Sequence, residues 1–362
     1  MKIAQVAPLT ESVPPRTYGG TERVVSYLTE ELVAQGHDVT LFASGDSTTR
    51  ARLVAPCSRA LRLDPDCRDP LAVHFEMFEM LARRAAGFDI IHFHTGYWHV
   101  PFMQRTGVPF LTTLHGRLDL PEVRRLHRCF DTLRLVPISE SQRQSMADRA
   151  WLDAVHNGVP SQLYRQGKGR GGYLAFVGRI SPEKRPDRAI EIALRAGMRL
   201  RIAAKVDRVD QRYFDEQIRP LLDTPGVEYL GELDDAGKAD LLGHAEALLF
   251  PIDWPEPFGM VMIEAMACGT PVIAFAHGSV PEIVRHGETG FLVSSVEEAV
   301  RAVDALSGIE RARCRAHFER HFTATLMARR YVERYQALLE GPAVWARPAP
   351  GAGWLSGGLE PR

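Results

Sequence analysis

Short apolar runs alternate with segments of helical periodicity along this chain, and that alternation limits its possible folds more than any other feature. Parallel strands that are buried on both faces of a sheet are typically such runs, and the helices between them cover the faces. The sequence therefore predicts an α/β fold with parallel sheets in both halves. The predicted strands are residues 3–7, 38–43, 90–94, 110–115 and 133–137 in the first half, and residues 173–178, 200–204, 227–230, 247–251, 272–276 and 290–293 in the second.

The chain has 362 residues, which is more than a single hydrophobic core usually supports. Residues 161–172, between the two sets of strands, are polar and rich in glycine, as is typical of a linker. We therefore predict two Rossmann-like domains, residues 1–160 and 171–321, with parallel sheets facing a central cleft. Ligands of open parallel sheets bind at the carboxyl ends of strands, so we expect the functional residues in those loops.

Composition and charge limit the class of protein. The net charge of −1 provides no overall basic field for nucleic acid. The five cysteines are odd in number and lack metal-ligand spacing, which favours a reducing compartment. No apolar run approaches the roughly 18 residues of a membrane span. The chain begins with a strand pattern rather than a signal peptide.

We therefore expect a cytoplasmic protein without a transmembrane segment, for which peripheral contact with a membrane stays open. Residues 342–362 are rich in proline and glycine and are predicted to be disordered.

Two carboxylates eight residues apart enclose a glycine turn in the second half. The segment reads Trp-Pro-Glu-Pro-Phe-Gly-Met-Val-Met-Ile-Glu, with Glu256 before the turn and Glu264 on a predicted helix. A rise of 1.5 Å per residue puts the two carboxylates on the order of 10 Å apart, too far to share a proton. The start of the helix supplies free N–H groups and a dipole that favour an anion. Those groups belong to Phe258, Gly259, Met260 and Val261. The pattern favours a sugar nucleotide, whose phosphate has hydroxyl groups on both sides.

With its continuation Ala-Met-Ala-Cys-Gly-Thr-Pro-Val, this segment closely resembles the donor-site motif of family 4 retaining glycosyltransferases of GT-B fold. The resemblance implies that Glu256 holds hydroxyls of the donor sugar and that Glu264 holds the ribose of its nucleotide. It spans residues 1–341 and is more specific in the second half. It also implies that a helix within residues 322–341 crosses back to the first domain. The alternative is a pair of surface glutamates around an ordinary helix start.

The loop after the first predicted strand ends in Gly19 and Gly20, and Thr21 is predicted to cap the helix that follows. Glycines let backbone N–H groups approach a phosphate, although a simple turn also uses them for positive φ angles. Similar glycosyltransferases carry a Gly-Gly pair at this point, next to the donor phosphates. The pattern Gly-x-Gly-x-x-Gly is absent after the strand, which disfavours a dehydrogenase.

Two cations, Arg179 and Lys184, follow the first strand of the second half. Fixed cations in a cleft with little water stabilise a leaving diphosphate better than water does. The Gly-Arg-x4-Lys pattern also resembles the diphosphate site of the family. The alternative is a salt-bridged turn in which Arg179 pairs with Glu183. Lys205 is a weaker further candidate.

His115 ends a predicted strand of the first half, and similar enzymes place a His-Gly there facing the donor sugar. A histidine in such a loop is otherwise a structural residue. In this fold, closure of the cleft would bring His115 and Gly19 towards Glu256 and Arg179.

A second group of histidines invites a metal interpretation. Period two puts His92 and His94 on one face of a strand, but no carboxylate or cysteine completes a metal site with them and His99. Tyr97, Trp98 and His99 could instead line the acceptor side. Asp64 and Asp66 match the metal motif of another glycosyltransferase fold, but they lie in a proline-rich loop and are predicted to be solvated.

The predicted function is metal-independent transfer of a hexose-type sugar, with a nucleoside diphosphate sugar as co-substrate, an unidentified hydroxyl acceptor and no cofactor. Glu256, Arg179, Lys184 and His115 are assigned to catalysis, and the glycine pair, the helix start and Glu264 to donor binding. One alternative is a sugar-nucleotide epimerase or a glycan phosphorylase on the same architecture. Another is a protein that binds a sugar nucleotide without turnover.

Overall fold

The computed structural model describes residues 1–17, 19–118, 120–130, 133–147 and 151–341. The tail that the sequence predicts to be disordered, residues 342–362, lies outside these ranges. In the described part of the chain, no helix is both long and apolar enough to cross a membrane.

Within the described residues of the first half, six strands form a parallel sheet. The strands are β1 Lys2–Val6, β2 Asp38–Phe42, β3 Arg52–Val54, β4 Ile90–Phe93, β5 Phe110–Thr113 and β6 Leu135–Val136. The helices of this half are α1 Gly20–Ala34, α2 Pro70–Arg84, α3 Val100–Met103, α4 Pro121–Arg128 and α5 Glu140–Gln144, with short 3₁₀ turns at Leu61–Leu63 and Ala85–Gly87. The strand order is β3-β2-β1-β4-β5-β6.

Residues 151–341, all described, contain a second parallel sheet of six strands. The strands are β7 Tyr173–Arg179, β8 Arg199–Lys205, β9 Val227–Gly231, β10 Ala247–Phe250, β11 Val272–Phe275 and β12 Gly290–Val293. The helices are α6 Pro186–Arg195, α7 Gln211–Tyr213, α8 Arg219–Leu222, α9 Asp235–His244, α10 Met260–Ala267, α11 Val280–Ile283, α12 Val296–Asp304, α13 Arg311–His321 and α14 Ala324–Glu340, with 3₁₀ turns at Pro182–Lys184, Arg208–Asp210 and Leu306–Gly308 and a π turn at Phe214–Ile218.

The second sheet has the strand order β12-β11-β10-β7-β8-β9. The two sheets therefore share one topology, in which the first strand of each half is central. In each sheet the chain starts at a central strand, winds to one edge, and then returns to wind to the other. The order reverses between β1 and β4 and between β7 and β10, and the crevice at such a point is where open α/β sheets bind ligands. The predicted α/β fold with two Rossmann-like halves is confirmed.

Two local predictions are wrong. The strand Arg52–Val54 was not predicted, because it is a short edge strand with no continuous apolar run. The predicted cap at Thr21 does not form, because α1 begins at Gly20 and its N-cap is Gly19, which has no side chain to accept from the first turn. The N-terminus of α1 therefore has no side-chain cap.

The two halves are joined by chain segments that pair with each other. The Val159 N–H donates to the Phe322 carbonyl at 3.0 Å, and the Ala324 N–H donates to the Val159 carbonyl at 2.9 Å. Helix α14 follows directly and packs against α1 of the first half. Its Tyr331 and Tyr335 are fully buried there. The last helix therefore contributes side chains to the core of the first half.

Candidate active site

A cavity of about 450 Å³ is lined by loops after β1 and β5 of the first sheet and after β7, β8 and β10 of the second. All eleven residues that the sequence assigned to catalysis or donor binding line it. They are Gly19, Gly20, His115, Arg179, Lys184, Glu256, Phe258, Gly259, Met260, Val261 and Glu264. The fold thus brings residues from both halves to one place.

The loop after β10 turns sharply into helix α10 at Gly259. This residue has φ +79°, and a Cβ on it would lie 2.7 Å from the Met262 Cε, so a glycine is required. Helix α10 begins at Met260, two residues later than the sequence indicated. The Met262 N–H donates a hydrogen bond to the Gly259 carbonyl at 3.0 Å. The N–H groups before Met262 therefore lie at the cavity wall as possible donors to an anion.

A second loop, at Gly278 and Ser279, packs against the loop that carries Glu256, and no sequence pattern indicated this contact. Gly278 has φ +61°, and a Cβ there would lie 2.3 Å from the backbone nitrogen and oxygen of Glu256. The Ser279 N–H donates to the Glu256 carbonyl at 2.9 Å, and its hydroxyl donates to the Phe258 carbonyl at 2.9 Å. These contacts hold the loop of Glu256 in place through residues that do not line the cavity.

Lys184 and Glu256, predicted from separate motifs, form an ion pair in the cavity wall. Their side chains are only 15% and 10% exposed. The indole Nε1 of Trp254 donates to the same Glu256 oxygen at 3.0 Å, and its ring lies 5.1 Å from the lysine nitrogen. The carboxylate is thus held in one orientation before any ligand is considered.

Arg179 satisfies both interpretations of its motif. It lines the cavity, and it also pairs with Glu183 as in a salt-bridged turn. Its guanidinium lies 3.6 Å from an Asp207 oxygen and 3.5 Å from an Asp210 oxygen. Lys205, the weaker candidate, also lines the cavity and pairs with Asp207 at 3.0 Å. Arg179 and Lys205 thus lie at the same end of the cavity, and ion pairs with neighbouring carboxylates hold both side chains in place.

Glu264 is 3% exposed and pairs with Lys238 on α9 at 2.9 Å. Lys238 also lies 3.2 Å from Asp235, which in turn pairs at 2.5 Å with Arg23 from helix α1. These four charged side chains connect the two halves of the molecule beside the cavity. Sequence reasoning missed Lys238, Asp235 and Arg23, because each lies on a helix without a recognisable motif. Glu256 and Glu264 pair with different lysines, which favours contacts to different parts of a ligand.

Glu22 is a further cavity residue that the sequence analysis missed. It is 6% exposed and lies in the first turn of α1. Burial raises the pKa of the Glu22 carboxyl to about 7, despite backbone N–H groups at Glu22 and Glu11 that lower it. Burial therefore favours the protonated form of this carboxyl. Its position two residues after the glycine pair was the available signal.

His115 reaches the cavity from the end of β5. Its Nε2 lies 2.8 Å from the Nδ1 of His94, and burial lowers the pKa of His115 to about 4. The imidazole is therefore neutral at physiological pH. It can exchange hydrogen bonds with a ligand, but it adds no positive charge to the cavity.

The other aromatic and acidic candidates lie elsewhere. His92 and His94 share a strand face, as predicted, with ring centres 4.0 Å apart. His99 is buried and stacks on Phe93 at 3.8 Å, so it is core rather than cavity wall. Tyr97 and Trp98 also do not line the cavity, nor do the two aspartates of the Asp-x-Asp pattern. Within the described residues, no group of three or more histidine, cysteine or acidic side chains could hold a metal ion.

The glycine pair allows a test of the first half's share in ligand binding. A Cβ on Gly19 would lie 2.7 Å from Pro15, whereas one on Gly20 would have no neighbour within 4 Å. We expect Gly20→Val to fill cavity space, with an unchanged melting temperature, and to cost about 1–3 kcal/mol in binding of nucleoside diphosphate, the ligand that the sequence resemblance implies. Calorimetry would measure the binding. The control is Gly87→Val, which also meets open space but lies outside the cavity. If Gly20→Val binds normally, the glycine pair is only a turn.

Two family models match consecutive parts of the chain. The model described as Glycosyltransferase Family 4 matches residues 18–163. The model described as Glycosyl transferases group 1 matches residues 165–317. Together they cover both sheets apart from the first strand.

Individual proteins agree with the family models. D-inositol 3-phosphate glycosyltransferase of Mycobacterium tuberculosis is 36% identical over 167 residues, which is 42% of this chain and 34% of that protein. The match thus spans about a third of the length of such curated relatives.

Solved structures match over nearly the full chain. AviGT4, a glycosyltransferase involved in avilamycin A biosynthesis, is 26% identical with a TM-score of 0.74, covering 94% of this chain and 99% of that one. HepE from Anabaena, solved with UDP and glucose, is 18% identical with a TM-score of 0.73, covering 93% and 100%. At that identity HepE indicates a shared fold alone.

Proposed function

Because the chain belongs to glycosyltransferase family 4 and has its GT-B fold, we propose that it is a retaining enzyme that moves a hexose-type sugar from a nucleoside diphosphate to an acceptor hydroxyl. The observation that carries the proposal is the convergence at one cavity of the α10 N-terminus, the Lys184–Glu256 pair and His115. Such a cavity offers separate partners to a diphosphate and to a sugar.

In the proposed complex, the ribose of the nucleotide lies at Glu264 and the diphosphate lies at the N-terminus of α10. Arg179 and Lys184 flank the diphosphate, and the sugar extends towards Glu256 and His115. This order of ribose, diphosphate and sugar matches the order of the residues along the cavity wall, because Glu264 lies within α10, the N-terminus of α10 precedes it and Glu256 lies before the helix.

The reaction breaks the bond between the anomeric carbon and the diphosphate oxygen, and the electron pair leaves with the diphosphate. Arg179, Lys184 and the helix N-terminus stabilise that charge. The acceptor hydroxyl attacks the same face of the sugar, and its proton passes to the departing oxygen. The configuration at the anomeric carbon is kept, and no separate general base is needed. We propose that this reaction requires no metal ion.

Incubation with a panel of uridine and guanosine diphosphate sugars tests the function. Transfer or slow hydrolysis releases nucleoside diphosphate, and NMR of the product sugar should show the anomeric configuration of the donor. An epimerase would change the sugar without releasing diphosphate. A phosphorylase would need inorganic phosphate and a glycan instead of the nucleotide sugar. Binding without any turnover would indicate a silent binding protein, and inverted configuration would overturn the retaining mechanism.

We expect Glu264→Gln to weaken nucleotide binding. Loss of a charged hydrogen-bond acceptor for ribose should cost about 1.5–3 kcal/mol, equally in the ground state and the transition state. The dissociation constant for nucleoside diphosphate should rise accordingly in calorimetry, while kcat stays nearly constant. Glu228→Gln, which breaks a surface pair with Arg201, is the control. A fall in kcat without loss of affinity would contradict the ribose assignment.

Chelators are expected to leave turnover unchanged, because side chains supply the positive charge at the diphosphate. The measurement compares rates before and after EDTA treatment and after adding manganese or magnesium. Inhibition that either metal reverses would show that a metal ion supplies this charge. Asp64→Asn would then test whether the dismissed acidic pair holds that ion.

A further inference from the structure

A row of buried polar side chains connects the C-terminal helix to the cavity. The Gln5 Nε2 donates to the Tyr335 hydroxyl at 2.9 Å. The Gln5 Oε1 lies 3.0 Å from the Nε2 of His94, whose Nδ1 lies 2.8 Å from the Nε2 of His115. Gln5 and Tyr335 are fully buried and His94 is 4% exposed. The Tyr335 hydroxyl also lies 2.7 Å from the Nδ1 of His92, and the other buried groups depend on their neighbours in the row for hydrogen bonds.

The hydrogen bonds between Gln5, His94 and His115 all run in one direction from donor to acceptor, and the orientation of the Gln5 amide sets that direction. An amide oxygen can only accept, so the His94 Nε2 carries a proton and donates to Gln5. Burial lowers the pKa of His94 well below its usual value, and the His115 ring is neutral for the same reason. A neutral imidazole has one N–H. The His94 Nδ1 is therefore an acceptor, and the Nε2 of His115 donates to it.

The nitrogen of His115 that remains for a ligand is Nδ1, and in this tautomer it carries a lone pair. A lone pair accepts a hydrogen bond from a sugar hydroxyl, whereas an N–H there would donate to an oxygen without a proton. An inverted Gln5 amide would reverse every bond in the row and would leave an N–H on the His115 Nδ1. The amide orientation and the chemistry at the cavity are thus coupled.

We propose that Gln5 and Tyr335 are positioning residues that set the tautomer of His115, so that an acceptor nitrogen faces a hydroxyl of the donor sugar. The C-terminal helix, which packs against α1, thereby acts on the site through buried side chains of the first sheet. The part of this inference that concerns the sugar rests on the proposed function. The tautomer itself is a property of the protein alone.

Helix α14 offers a matched pair of variants. Tyr335→Phe removes the acceptor of the Gln5 amide, so the amide loses its preferred orientation. Tyr331→Phe removes a buried hydroxyl one turn away, which lies 2.9 Å from the Thr113 hydroxyl. It reaches Tyr335 only through Thr113 and His92, so it lies further from the Gln5 amide than Tyr335 does. Both variants delete one oxygen from the same helix. A general loss of packing would affect the two alike.

The test is a long-range proton–nitrogen NMR correlation on protein labelled with ¹⁵N-histidine, without any donor. The His115 signals are assigned by their loss in His115→Gln. We expect wild type and Tyr331→Phe to show an unprotonated Nδ1 and a protonated Nε2. Tyr335→Phe should show a mixture of tautomers. A proton on Nδ1 in the wild type, or an unchanged His115 in Tyr335→Phe, overturns the proposal.

Should Tyr335→Phe not fold, Gln5→Met removes the amide itself and must also mix the tautomers. With an active donor, Tyr335→Phe should lower kcat by up to about tenfold, the equivalent of one hydrogen bond, and Tyr331→Phe should not. Equal losses in both variants would indicate packing instead and would overturn the positioning role. A panel without any active donor would count against the proposed function, while the NMR result would still decide the tautomer.

Discussion

Lys184→Ala is expected to lower kcat/KM about 30- to 1,000-fold, the loss of about 2–4 kcal/mol that follows removal of one oxyanion donor. The reason is that Lys184 is a buried cation in the wall of the cavity, near the helix start that favours an anion. Arg179→Ala should cost a similar amount. The measurement is initial rate against donor concentration with the donor that the panel identifies.

The lysine also has a structural partner, and the experiment must separate the two roles. Loss of Lys184 leaves the Glu256 carboxylate without its buried ion-pair partner, which is itself destabilising. The double variant Lys184→Met with Glu256→Gln removes both charges and should recover thermal stability without recovering turnover. Lys205→Met is the control from the same cavity and should cost less than about tenfold. Normal turnover in Lys184→Ala would exclude the lysine from the chemistry.

Glu256→Gln is expected to lower kcat about 100- to 1,000-fold and to leave the affinity for free nucleoside diphosphate nearly unchanged. Its proposed contacts are to sugar hydroxyls, and they strengthen as charge develops at the anomeric carbon. A free nucleoside diphosphate has no sugar, so it cannot report those contacts. Kinetics with the complete donor and calorimetry with the free diphosphate measure the two quantities separately.

Two outcomes would contradict this assignment. Unchanged turnover would remove Glu256 from the sugar site. An equal loss of kcat and of nucleotide affinity would place the carboxylate at the nucleotide instead. Because Glu256 pairs with Lys184, the single variants Lys184→Met and Glu256→Gln and their double variant form a cycle, and their non-additivity measures the coupling. Trp254→Phe removes the N–H that orients the carboxylate and shortens the ring beside Lys184, but it leaves the Glu256 charge in place and should have a smaller effect than Glu256→Gln.

Much of the fold was accessible from local patterns. Buried parallel strands must be short apolar runs, because helices cover both faces of their sheet. Every predicted strand was therefore found, and the error was the edge strand Arg52–Val54, whose sequence lacks such a run. The start of α10 was predictable to within two residues, because a glycine turn and the helix that follows it are encoded within a few residues. The cap at Thr21 was misjudged because the first turn already includes that residue.

The sequence by itself determined the elements, their order and the residues whose spacing forms a donor-site motif, because these depend on neighbours within a few positions. Only the tertiary structure decided which charges meet. Lys184 and Glu256 are 72 residues apart, Arg23 and Asp235 are 212 apart, and Gln5 and Tyr335 are 330 apart. Their contacts follow from strand order and from the return of α14 to the first half, which bring together loops and helices that share no local pattern. The partners of each charge, and the direction of the hydrogen bonds that reach His115, could therefore not be derived before the sheets were assembled.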